Sequence, residues 1–66
     1  MTKQESERWA RFARMSGFEA EPVQSMLSGH WMVAVIIFGK SIKCSAIGMN
    51  RISRGEHPLT GVKING

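Results

Sequence analysis

Trp31-Met32-Val33-Ala34-Val35-Ile36-Ile37-Phe38 is an unbroken apolar run of eight residues, rich in β-branched side chains and closed by Gly39. Such side chains pack well on a pleated surface and crowd the preceding turn of a helix, so the run predicts a strand. A strand that is apolar on both sides has to be covered on both sides. That requirement governs what the rest of the chain can be.

A hairpin supplies the first cover. A two-residue type II′ turn at Gly39-Lys40 pairs Phe38 with Ser41, Ile37 with Ile42, Val35 with Cys44 and Val33 with Ala46. One face then carries Val33, Val35, Ile37, Ile42, Cys44 and Ala46. The other carries Met32, Ala34, Ile36, Lys43, Ser45 and Ile47, a mixed set.

Residues 2–16 predict the helix that packs on this sheet. Thr2-Lys3-Gln4-Glu5 is a capping box, in which the Thr2 hydroxyl accepts from the Glu5 amide while Glu5 reaches back to Thr2. Trp9, Phe12 and Ala13 form an apolar stripe, and Glu5–Arg8 and Glu7–Arg11 are favourable pairs on its solvent side. Gly17 suits the left-handed position after the last turn, with Phe18 folding back on Phe12 or Ala13. Residues 22–28 predict a short second helix, with Pro22 at its first position, a stripe of Val23, Met26 and Leu27, and Gly29 as the stop. Beyond Gly48 no clean period appears. Gly55-Glu56-His57-Pro58 is a turn, and Leu59 to Ile64 could add a third strand.

The expected fold class is therefore α+β in a single domain of residues 1–66, helical over residues 2–28 and β over residues 30–64. A core of this size is marginal by itself, and small domains usually add a disulfide, a metal or a partner. One cysteine excludes a disulfide within the chain, and His30, Cys44 and His57 lack the close spacing of a metal site. Self-association or a standing partner remains. The N-terminal helix can cover one sheet face but not the other, which leaves Met32, Ala34, Ile36 and Ile47 as the candidate oligomer or partner interface.

Charge adds a second indication. In residues 1–33 four Lys and Arg are balanced by four Glu, whereas in 34–66 five face one Glu, so the whole excess of +4 lies in the second half. Lys40, Lys43, Arg51, Arg54 and Lys63 form the candidate basic contact patch, suited to an acidic protein face or to phosphate. No aromatic residue follows Phe38, so this half lacks a stacking platform for single-stranded nucleic acid.

Chemistry-bearing motifs carry little. Gly39-Lys40-Ser41 imitates the end of a phosphate-binding loop, but Ala34 replaces the required first glycine and Val, Ile, Ile and Phe fill the loop. Cys44 falls on the apolar face, where a thiol is inert. No carboxylate pair is placed for acid–base work; Glu19 and Glu21 suit the N-terminus of the 22–28 helix. No enzymatic activity and no cofactor are expected. A spanning helix needs about 20 apolar residues, and extending the run would centre Lys40 and Lys43 in the bilayer. Glu5 and Glu7 stand where a signal peptide is basic, so a cytoplasmic chain with no membrane partner is expected.

The functional expectation is a small non-enzymatic regulatory or inhibitory protein that acts by protein–protein binding, as a homo-oligomer. The alternatives are a basic nucleic-acid-binding dimer and a structural subunit of a larger assembly.

Overall fold

The computed structural model describes residues 1–64. Helix α1 (Lys3–Met15) is followed by three strands, β1 (Glu19–Gln24), β2 (Trp31–Ile37) and β3 (Lys40–Cys44), and by a short helix α2 (Ala46–Ser53). The strands form one antiparallel sheet in the order β1-β2-β3, so the expected α+β class holds and the apolar run is its central strand.

The ends of α1 follow from the sequence. Thr2 Oγ1 accepts from the Glu5 amide at 3.2 Å and the Thr2 amide donates to Glu5 Oε1 at 2.9 Å, closing the capping box. At the other end Gly17 adopts φ 97°, its amide donates to the Arg14 carbonyl and the Phe18 amide to the Ala13 carbonyl. This is a Schellman stop. Ser6, Ala10 and Ala13 are buried beneath the helix, small enough for it to lie close on the sheet. The Ser6 hydroxyl is satisfied by the Lys3 carbonyl at 2.6 Å. Val33, Val35, Ile37 and Cys44 meet these residues from the sheet, joined by Met49 and Ile52 of α2.

Three expectations are corrected. The segment 22–28 is not a helix: residues 19–24 pair with β2, Pro22 opposite Val33 and Val23 opposite Met32, and the chain turns through Ser25–Ser28. A central strand needs a neighbour on each edge, and β1 is the second neighbour. The division into a helical stretch over 2–28 and a β stretch over 30–64 fails with it, because β1 lies inside the first and α2 inside the second. Finally, residues 59–64 contribute a single bridge, Glu56 to Lys63, rather than a strand.

The hairpin register also differs, by two residues. Its turn is Phe38-Gly39, with φ 51° and 77°, so Ile37 pairs with Lys40, Val35 with Ile42 and Val33 with Cys44. Positive φ at both central residues is the type I′ pattern, whose twist matches the flanking strands. A slip of two preserves which side chains share a face. Ala46 thereby leaves the sheet and opens α2. Gly48 lies at the contact of that helix: a Cβ there would stand 3.2 Å from Cys44 Cβ and 3.3 Å from Pro58 Cβ.

Candidate interface on the outer sheet face

Antiparallel pairing fixes the outer face rung by rung. Glu21 is opposite Ala34 and Ala34 opposite Lys43; Glu19 is opposite Ile36 and Ile36 opposite Ser41; Val23 is opposite Met32. Partners across a rung share a face, and this face is turned away from the side on which α1, Val33, Val35 and Ile37 form the core. Its centre is therefore Met32, Ala34 and Ile36. An acidic border runs along β1 and Lys43 stands on β3.

The three central residues belong to the candidate interface read from sequence. Met32 is half-buried and Ile36 is 36% exposed, while Ala34, small and set among longer side chains, is 8% exposed yet lies outside the core cluster. An open hollow of about 300 Å³ lies here, lined by Arg14, Glu19, Glu21, Ala34, Ile36 and Ser41. Ile47, the fourth, sits on α2 and is 68% exposed. It borders a neighbouring hollow of about 200 Å³ with Lys43, Arg51 and Leu59. Lys43 thus links the two apolar surfaces.

The five basic residues of the candidate patch are gathered only in part: Lys43 and Arg51 line one hollow and Lys63 reaches Arg54. Lys43 is on the outer face, whereas Lys40, opposite Ile37, has the opposite parity and starts at the hairpin end. Arg51 Nη1 donates to the Pro58 carbonyl at 3.0 Å and to that of Leu59 at 3.4 Å. Arg54 pairs with Glu56 at 3.4 Å, and Lys63 Nζ donates to the Arg54 carbonyl at 2.9 Å. Arg51, Arg54 and Lys63 thus brace the C-terminal turns.

Two groups that sequence offered for chemistry have structural surroundings. The Cys44 side chain is buried and burial alone pushes its thiol from 9.0 up to about 11, which keeps it protonated at neutral pH. His57 accepts the Leu59 amide on Nδ1 at 3.2 Å, inside its own turn. Among the described residues no three His, Cys, Asp or Glu side chains cluster as metal ligands would, and no helix is long and apolar enough to cross a membrane.

Glu19, Glu21 and Val23 share this face and are absent from the candidates read from the sequence. The signal was present in the chain. Glu19-Ala20-Glu21-Pro22-Val23 alternates polar and nonpolar until Val23, the period of a half-exposed strand.

The free edges of the sheet are closed by different means. Arg14 Nε donates to the Ala20 carbonyl at 2.7 Å, so Ala20 points its backbone away from β2. Residues two apart point the same way, and Pro22 therefore brings its missing N–H to that edge. β3 is five residues long and carries Lys40 and Lys43, a short charged edge of the kind that resists strand addition.

No family model, curated protein or solved structure matches the chain.

Proposed function

We propose that this chain is a small non-enzymatic regulatory or inhibitory protein that works by protein–protein contact through its outer sheet face, in a homo-oligomeric form. The observation that carries the reading is the strip Met32–Ala34–Ile36. It is the apolar centre of the central strand's second face, bordered by charge, and α1 and α2 pack elsewhere. An apolar centre with a charged rim is the anatomy of a binding surface. Ile47 extends the contact and Lys43 steers an acidic neighbour toward it.

The nucleic-acid alternative receives less support from the side chains. A phosphate track needs cations free to face it, and Arg51, Arg54 and Lys63 are bonded to carbonyls or to Glu56.

A photo-reactive phenylalanine analogue at position 36, in the full chain inside cells, tests the proposal. Illumination is expected to give a discrete adduct, and the same group at exposed Gln4 on α1 none. Adducts at both positions, or at neither, overturn it.

A further inference from the structure

The proposed binding face has one feature that specifies its occupant. On the rung Glu21–Ala34–Lys43, an acid on one edge strand and a base on the other flank a small apolar residue. With strands about 4.8 Å apart, the two charges stand roughly 10 Å from each other at the backbone. We infer that this face binds a second copy of the chain, about a two-fold axis parallel to β2, with Glu21 of each copy against Lys43 of the other.

The axis follows from the charge pattern. Two identical sheets that stack aligned, the packing that keeps their strands within about 30° of each other, meet about a two-fold axis lying close to across the strands or along them. An axis across the strands sets β1 over β1, so Glu21 meets Glu21 and Lys43 meets Lys43. An axis along β2 sets β1 over β3 of the other copy and makes both contacts attractive. It also puts Ala34 on Ala34 at the centre, with Ile36 and Met32 stacked on their own counterparts to either side. The crossing angle of about 30° usual for stacked sheets is reached by tilting the axis about half that angle from β2, which keeps these partners facing each other. Association through the β1 edge is opposed by the Arg14–Ala20 bond and by Pro22, and through the β3 edge by its five-residue length and its lysines, so the face is the remaining route for sheet-mediated pairing.

Three strands make a small interface, and a weak, reversible dimer with a dissociation constant on the order of 10–100 μM is expected. The inference rests on the proposed homo-oligomeric binding role of this face and goes further by fixing the axis and the charge pairs of the contact. Sedimentation equilibrium of the purified chain from about 5 to 500 μM spans that range. Glu21→Lys and Lys43→Glu are each expected to raise the dissociation constant at least about tenfold, because each creates two like-charge contacts. Both sites are exposed, and circular dichroism checks that each variant is folded. An equimolar mixture of the two variants is expected to form a heterodimer, and Glu21→Lys/Lys43→Glu to recover the wild-type constant within about threefold.

A wild type that stays monomeric across this range overturns the inference. So do single variants that associate as the wild type does, or a double variant no better than either single one. A monomeric pure protein that still gives a heavier adduct at position 36 in cells overturns the second copy, and the homo-oligomeric form with it, and leaves contact with a different protein through this face standing. Absence of any adduct at position 36 removes the binding role itself.

Discussion

Arg14 Nε bonds the Ala20 carbonyl at 2.7 Å and so ties the last turn of α1 to the free edge of β1. The same edge lacks a donor at Pro22, two residues along. The bond is charge-assisted but exposed, and Arg14→Ala is expected to cost about 1 kcal/mol by urea unfolding. Arg14→Ala/Pro22→Val also reopens the edge, and light scattering is expected to show irreversible high-order species that neither single variant forms. A double variant as soluble as the wild type would show that the edge is protected elsewhere.

Glu5 is held below its ordinary 4.5, first by the Thr2 amide and then by the Thr2 hydroxyl. A depressed carboxyl contributes stability above its unfolded pKa and loses it as pH falls through the folded value. Helix content measured by circular dichroism should therefore fall below about pH 4.5 in the wild type. Glu5→Gln retains the capping geometry without the charge, so its helix signal should be flatter over the same range. Thr2→Ala removes the cap at every pH and is expected to cost about 1 kcal/mol.

The regions of the fold that could be read from the chain are those where local signals agree. Thr2, Glu5 and Gly17 bound α1, and the β-branched run sets β2 and the composition of its two faces. Segment 22–28 misled because Val23, Met26 and Leu27 have helical spacing and Pro22 suits a helix start. In the fold Pro22 serves an edge strand equally well, and Met26 and Leu27 are fully exposed at the loop tip. Helix α2 was hidden by Gly48, which lowers helix propensity by about 1 kcal/mol but is needed for the close contact with Cys44 and Pro58. Of the candidate outer face, Met32, Ala34 and Ile36 were legible from alternation alone. The alternation around Glu21 marks a strand, but its place opposite Ala34 depends on a pairing remote from the hairpin turn.

Phe38 occupies the first central position of its turn at φ 51° and is 81% exposed. A side chain in the left-handed region costs about 1–2 kcal/mol relative to glycine, and asparagine tolerates it far better than phenylalanine. Phe38→Asn is expected to raise stability by about 0.5–1 kcal/mol in urea unfolding, with Asn-Gly then filling the turn. An unchanged or lower midpoint would mean that the exposed ring makes contacts worth as much as the strain.

Cys44 carries the clearest pH signature. Burial raises its thiol from 9.0 to about 11, so between those values the unfolded chain loses a proton that the folded chain keeps. The unfolded state then binds fewer protons, and stability falls as pH rises across this window. The informative quantity is the difference from Cys44→Ala, which isolates the contribution of this thiol. That variant is less stable at pH 7, because a buried side chain is shortened, and its urea midpoint should decline less steeply from pH 9 to 11. Alkylation by iodoacetamide gives the independent check. At pH 8 the folded protein should react far more slowly than the urea-unfolded chain, because thiolate is both scarce and covered. Equal rates in the two states would place the thiol in solvent and remove the predicted pH dependence with it.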